Sequence, residues 1–299
     1  MCAELNNFPI FGGYMKKITL LICMAALVML FTAPAGFSQA FKCATYPSGS
    51  TPTIKIAVAA NFVGTSSLTV QNFLVSTYGV GEVVQICQGS TGALAAYIQA
   101  NPGAFDMFFG ADTTATQLSG VSPAFIYARG LPVLFGYTAN SGKANTITDV
   151  SDLLTQSGTS FANVLSYNVT GYATGYSIPS SANDIAIADS SVAPYGQAAE
   201  DILDDMGNPP VTLVSSPGQD VSAAFSAVGN NGVNSGFVSK AQICSIFPIV
   251  TYVQFTGYTL TQMARQLTTA ATPLYDYIQS QITSGAWNTF ISLNCYNPI

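Results

Sequence analysis

Residues 83–112 read VVQICQGSTGALAAYIQANPGAFDMFFGAD, and two changes of period inside that stretch decide the fold. Val83, Val84, Ile86 and Cys87 crowd a short apolar run that predicts a strand over 83–87, bounded by the turn at Gly89-Ser90-Thr91-Gly92. The spacing then becomes helical, with Leu94, Tyr97 and Ile98 inward, until Asn101-Pro102-Gly103 stops it. Met107-Phe108-Phe109 is the next strand and ends at Gly110-Ala111-Asp112. A strand, a helix and a strand in thirty residues form a βαβ unit, which implies a parallel pair.

The alternation continues in both directions. Upstream, Ile54, Ile56 and Val58 predict a strand over 53–60, followed by a helix over 65–78 with Leu68, Phe73 and Leu74 inward and Gly79 as its stop. Downstream, a strand over 131–137 leaves this group and a second series begins. It comprises a strand over 185–189, a helix over 195–206 with Ala198, Ala199, Ile202 and Leu203 inward, a strand over 211–214, a helix over 221–228 and a strand over 236–238. From residue 250 onward the chain is expected to rejoin the first group, closing with a helix over 273–282 and an aromatic tail at Trp287 and Phe290. Residues 157–183, rich in Gly, Ser and Tyr, carry Tyr167, Tyr172 and Tyr176 at loop-like positions and read as a long surface excursion.

Composition narrows the function classes. The chain has 299 residues, 49% of them hydrophobic, enough for one large core or two lobes. Met15-Lys16-Lys17, an apolar run over 18–31 and the small-residue site Ser38-Gln39-Ala40 read as a secretory signal peptide within residues 1–40, cleaved after Ala40, with Met1 or Met15 as the start. Lipidation at Cys23 is disfavoured by the bulky Ile22 before it. Removing residues 1–40 leaves six basic and thirteen acidic side chains, a net charge of −7, which argues against nucleic acid or an acidic membrane as partner. The chain contains no histidine, so Ser-His-Asp and Cys-His catalysis and His-ligated metals are excluded, and neither an enzyme nor a metal centre is expected. Asp106, Asp112 and Asp189 read as turn and cap residues rather than acid/base carboxylates. Ser239 and Lys240, being adjacent on a strand, point to opposite faces and do not make a nucleophile pair.

Four cysteines follow the leader: Cys43, Cys87, Cys244 and Cys295. In an exported chain an even count implies disulfides, here with three connectivities open. Cys43 with Cys87 and Cys244 with Cys295 is the preferred set, because each pair lies in segments expected to pack together.

Four turns of small neutral residues each precede a helical pattern: Ala59-Ala60-Asn61-Phe62, Gly89-Ser90-Thr91-Gly92, Ala193-Pro194-Tyr195-Gly196 and Gly218-Gln219-Asp220-Val221. The first N–H groups of a helix lack internal acceptors and sit at the positive end of its dipole, so such turns can hold an oxyanion without Lys or Arg. Ser90, Thr91 and Asn61 are also ordinary capping residue types.

In order and motif, residues 53–295 resemble the periplasmic molybdate-binding proteins of ABC transporters. The resemblance rests on Ile56-Ala57-Val58-Ala59-Ala60-Asn61, on Gly89 to Leu94 with Phe105 to Asp112, on Asp189 with Pro194 to Ala199, on Asp220 to Ala224, and on Gly236-Phe237-Val238-Ser239. Five matches in register favour a ligand shell over five unrelated caps. It implies an α/β, two-lobed periplasmic-binding-protein fold, each lobe a mostly parallel sheet flanked by helices, with a hinge and a ligand cleft between. The lobes are expected at 41–137 plus 247–299 and at 138–246. The implied ligand shell is Asn61, Ser90 and Thr91, the backbone near Tyr195 and Val221, and the Ser239 side chain. Many members have Ser at the Asn61 position and Tyr at the Ser239 position, so the anion pocket transfers more firmly than the choice of anion.

The function implied is capture of molybdate or tungstate in the periplasm or outside the cell, and delivery to an ABC permease, with no cofactor. A site made only of donors suits a fully deprotonated tetrahedral dianion and disfavours a protonated phosphate. The second reading is a secreted structural protein on the same fold that self-associates through its Ser/Thr/Asn/Tyr-rich surface.

Overall fold

A computed structural model describes residues 41–77, 81–179, 184–216, 218–230 and 232–299. The expected signal peptide, its cleavage site and Gly79 lie outside these residues.

The elements run β1 (Lys42–Tyr46), β2 (Ile54–Ala59), α1 (Val63–Ser76), β3 (Val84–Gly89), α2 (Thr91–Ala100), β4 (Met107–Phe109), β5 (Phe125–Gly130) and β6 (Pro132–Tyr137). After them come β7 (Thr155–Gln156), β8 (Ser166–Val169), β9 (Tyr176–Ser177), β10 (Asp184–Ala186), α3 (Pro194–Asp205), β11 (Thr212–Val214), α4 (Val221–Gly229) and β12 (Ser235–Ser239). The chain finishes with α5 (Lys240–Ile243), β13 (Val250–Phe255), β14 (Leu260–Gln266), α6 (Thr272–Thr283) and α7 (Ala286–Leu293). Two six-stranded sheets result, in the orders β1-β3-β2-β4-β14-β5 and β11-β10-β12-β6-β13-β8, with a separate β7-β9 ribbon. This is the two-lobed binding-protein fold expected from the sequence. The sheets are mixed rather than mostly parallel. β3-β2-β4 and β11-β10-β12 are parallel, as their βαβ connections require, but β14 runs antiparallel to β4 and β5, and β6 antiparallel to β12 and β13.

Each sheet is buried on both faces, which is why its strands read as nearly continuous apolar runs. In the first, Ile54, Ile56 and Val58 pack with Phe73, Leu274, Ile278, Trp287 and Ile291. Ala57 on the other face packs with Cys87, Leu94, Ile98 and Phe108. In the second, Ile185, Ala199, Ile202, Leu203 and Phe237 form one layer and Val133, Phe135, Ala186, Ala224 and Val228 the other.

Several expectations are corrected. The chain crosses between sheets at Leu131 and returns between β13 and β14, so β6 and β13 both belong to the second sheet, against the expected lobe limits at 137 and 247. A fully buried strand has the same apolar run whichever sheet it joins, and only its pairing decides. In α1 the buried stripe is Thr65, Ser66, Thr69, Val70 and Phe73, while Leu68 is exposed. The 157–183 excursion contributes structure within its described part. Its strand β8 pairs with β13, and Phe161, Val169, Ala173 and Ile178 are buried in the second core. Trp287 and Phe290 of the aromatic tail lie on a helix, α7.

The preferred disulfides are both present. Cys43 and Cys87 are directly opposed on antiparallel β1 and β3, with Cα atoms 4.1 Å apart. Cys244, just after α5, is joined to Cys295 in the C-terminal tail, whose Asn297 exchanges backbone hydrogen bonds with Arg129 of β5.

Candidate functional site

The C-terminal ends of the central strands meet across the crossover, and the turns that follow them converge there, as open α/β sheets predict. Ala59, Ala60, Asn61, Gly89, Ser90, Thr91 and Ala111 from the first sheet's turns face Ala193, Pro194, Tyr195, Asp220 and Val221 from the second's around a small, tightly closed cavity. Of the six residues expected from the sequence, five therefore line one cavity, and Ser239 does not.

The cleft is closed over this cavity. The Gly92 N–H donates to Val192 O at 2.8 Å, tying the first turn of α2 to the second lobe. A Cβ on Gly92 would stand 3.0 Å from that same carbonyl oxygen, so glycine permits the close approach. Ala59, Ala60 and Ala111 pack with Tyr195, Val221 and Ala224 in one apolar cluster that spans the cleft.

Ser90 occupies the N-cap position of α2, yet its side chain makes no cap hydrogen bond. Its Oγ is buried with no partner among the described residues. An ordinary capping Ser spends its hydroxyl on the helix N–H groups, and this one does not. Thr91 is half committed: its Oγ1 accepts from Ala111 N at 3.0 Å and its proton remains to be donated. The start of α3 carries no side-chain cap, because Ala193 cannot supply one and Pro194 has no N–H. At α4 the Asp220 carboxylate takes the N–H groups of Ser222 and Ala223 but not that of Val221. Among the lining residues there is no Lys or Arg. The donors this lining offers are neutral N–H and O–H dipoles.

Beneath the cavity lies a buried network of neutral polar side chains that the sequence reading missed. Gln262 of β14 is fully buried. Its Oε1 accepts from Asn61 Nδ2 at 3.1 Å and lies 2.9 Å from Tyr127 Oη, and its Nε2 donates to Tyr195 Oη at 2.9 Å. Tyr296 Oη donates to the Asn61 backbone carbonyl at 2.6 Å and accepts from Asn61 Nδ2 at 3.1 Å. The Asn61 NH₂ is thus fully spent inside the protein, and the atom left without a partner is its carbonyl Oδ1. Burial pushes the phenols of Tyr127, Tyr195 and Tyr296 well above the usual range, so all three are neutral donors and acceptors at physiological pH. Tyr195, expected to contribute backbone only, also reaches this network with its hydroxyl. Gln262 gave no sequence sign of it, because β14 also carries Thr261, Arg265 and Gln266.

Ser239 is the N-cap of α5: its Oγ accepts from Ala241 N and its N–H donates to Gln242 Oε1, a capping box. It does not line the cavity, against the expectation, and its hydroxyl instead joins the buried network beneath, against the Tyr195 and Tyr296 hydroxyls. Asp112 caps Thr114, and Asp189 accepts from Ser191 and Gly218, holding the two second-lobe turns together. A more open groove beside α3 is lined by Asp112, Asp201, Asp204 and Asp205, whose charge is wrong for an anion.

This arrangement defines a protein that encloses a small solute between two lobes. Residues 54–288 match the bacterial extracellular solute-binding protein family, and the chain belongs to it. No curated protein matches the chain in sequence. Among solved structures, the periplasmic molybdate-binding protein of Azotobacter vinelandii aligns at 23% identity and TM-score 0.59 over 81% of this chain and 98% of its own. A Clostridium difficile substrate-binding domain assigned to a molybdenum ABC transporter aligns at 13% identity and TM-score 0.52, over 82% and 98%. PEB3 of Campylobacter jejuni with bound L-phospholactate aligns at 13% and 0.51, over 82% and 100%.

Proposed function

We propose that this solute-binding protein captures a tetrahedral oxyanion, molybdate or tungstate, outside the cytoplasm and hands it to an ABC permease. The observation that carries this reading is the buried, partnerless Ser90 hydroxyl at an uncapped helix start, in a closed cavity where three helices begin. Ser90 and Thr91 supply O–H donors, and the backbone around Tyr195 and Val221 supplies the N–H groups of the second lobe. Exclusion of water strengthens each of these charge-assisted bonds, and cavity size selects among dianions. Two of the structural relatives carry molybdate or molybdenum in their descriptions. Release to the permease requires the lobes to part about the crossover strands.

Calorimetric titration of the mature, oxidised protein tests the reading, with molybdate and tungstate against sulfate, phosphate and L-phospholactate. Saturable heat with molybdate or tungstate, weakened in Thr91→Val, supports it. Binding confined to another of these anions reassigns the solute, and no heat with any of them overturns the proposal. Self-association has less in its favour: Tyr167 packs on Phe161 and Tyr176, and Leu165 and Tyr172 are the large side chains the described part of the excursion exposes.

A further inference from the structure

Each disulfide ends beside an aromatic ring that braces one of the first lobe's two ligand turns. Phe41 stands two residues before Cys43, and its ring lies behind the Gly89-Ser90-Thr91 turn: a Cβ on Gly89 would sit 3.0 Å from Phe41 Cδ1. Tyr296 directly follows Cys295, and its hydroxyl donates to the Asn61 backbone carbonyl at 2.6 Å and accepts from Asn61 Nδ2 at 3.1 Å. We propose that Phe41 and Tyr296 are positioning residues for these two turns and that the Cys43–Cys87 and Cys244–Cys295 bridges hold them in place, so that oxyanion affinity depends on oxidation of the protein. The inference rests on the oxyanion reading above and adds its regulation.

The segments that carry the two rings have few other anchors. β1 is an edge strand of the first sheet, and its Lys42, Cys43 and Ala44 are exposed. What holds it is the ladder to β3, Phe41 before it, Tyr46 at its end and the covalent bond at Cys43. The Phe41 ring meets Tyr97 edge-on at 5.3 Å and Phe105 at 6.3 Å, so it is seated on α2 and the loop after it. It therefore wedges between α2 and the end of β3, where Ser90 lies. The stretch after α7 is tied down by the exchange of backbone bonds between Asn297 and Arg129, by Ile299 N donating to Asn288 Oδ1, and by the bridge to Cys244. Between these ties Tyr296 is buried, its ring 5.7 Å from that of Phe62 and its hydroxyl against Ser239 as well as Asn61. Segments with few buried contacts open locally at small cost, and opening here withdraws a brace from a ligand turn.

Each bridge forms by thiol–disulfide exchange with a disulfide-bearing oxidant outside the cytoplasm. A cysteine thiolate attacks one sulfur of the oxidant, the second cysteine displaces it from the mixed disulfide, and the oxidant leaves as a dithiol with the two electrons and two protons. The reducing cytoplasm favours the reverse. A chain that folds there has both turns unbraced and holds the anion weakly, so solute is not captured before export.

The test is calorimetric titration of the mature protein with molybdate, at a temperature where circular dichroism shows every sample folded. Oxidised protein is compared with protein reduced by dithiothreitol, desalted and kept free of oxygen, and with the same sample reoxidised by glutathione disulfide. Phe41→Ala and Tyr296→Phe, both with the bridges intact, are titrated beside them. Reduction and each substitution are expected to raise Kd by about 5- to 150-fold, and reoxidation to restore it. Backbone amide NMR signals of Ser90 and Thr91 should shift in Phe41→Ala, and that of Asn61 in Tyr296→Phe. A merely structural role would lower the Tm and leave the Kd of the folded protein and these signals unchanged. If the reduced protein unfolds outright, the two bridge-intact variants decide. A parent-like Kd in the folded reduced protein, or in either variant, overturns the proposal while the oxyanion function stands. Absence of heat from the oxidised protein with every oxyanion sinks the function itself, and its dependence on oxidation with it.

Discussion

Ser90→Ala separates a ligand-holding hydroxyl from a structural one, because the two roles predict opposite signs. Ser90 Oγ is buried without a partner among the described residues, a condition that costs about 1–3 kcal/mol relative to a satisfied group. Removing it should leave the ligand-free protein as stable as before, or more stable by up to that amount. In the complex the same hydroxyl would donate a charge-assisted hydrogen bond, with a contribution of about 1.5–3 kcal/mol. At about 1.4 kcal/mol per factor of ten, affinity should fall by about 10- to 150-fold. Urea unfolding of the empty variant and calorimetric titration with molybdate measure the two quantities. A variant that is clearly destabilised when empty, or that binds molybdate as tightly as the parent, would refute the reasoning. Thr91→Val is the contrast. It leaves the buried Ala111 N–H without its 3.0 Å acceptor, so it should lose both affinity and about 1–3 kcal/mol of empty-state stability.

Gly130→Ala drives a methyl group into Tyr195 Oη and Gln262 Nε2, and should cost about 1–3 kcal/mol or more in urea unfolding, with weaker molybdate binding. Breaking either disulfide should be severe. The sequence separations of 44 and 51 residues correspond to about 4 kcal/mol each in a chain-entropy account, which thermal unfolding of Cys43→Ala/Cys87→Ala and Cys244→Ala/Cys295→Ala checks. Hydrogen bonds from Ser151 and Asn163 hold the buried Asp149 carboxyl below its ordinary range. Its contribution is present above the unfolded carboxylate value and lost as pH falls through the lower folded one. The unfolding free energy of Asp149→Asn should therefore fall less steeply than the parent's on acidification below about pH 4. Absorbance titration should find Tyr127, Tyr195 and Tyr296 un-ionised until the protein unfolds in alkali, because burial raises all three phenols.

The sequence by itself determined the alternating strands and helices of the βαβ units and most of the cavity. The change of period across 83–112 reappears as β3, α2 and β4, and the small-residue turns at Asn61, Ser90-Thr91, Tyr195 and Val221 line one site. Local pattern carries this much because burial fixes period and a helix start needs a particular kind of turn, both written in adjacent residues. Partnership between distant residues is written nowhere in the pattern, and only the tertiary structure decided it. β6 read as a strand and the chain from residue 250 as rejoining the first lobe, but hydrogen bonds put both β6 and β13 in the second sheet. Ser239 had the right residue type and became the cap of its own helix. Gln262 gave no functional sign in a strand that also carries Thr261, Arg265 and Gln266, since its importance arises from Asn61, 201 positions away, and Tyr195, 67 positions away, meeting it in space. Hydrogen bonding is short-ranged and directional, so which buried polar groups satisfy one another, and which atom is left over for a ligand, is fixed only when the chain has folded.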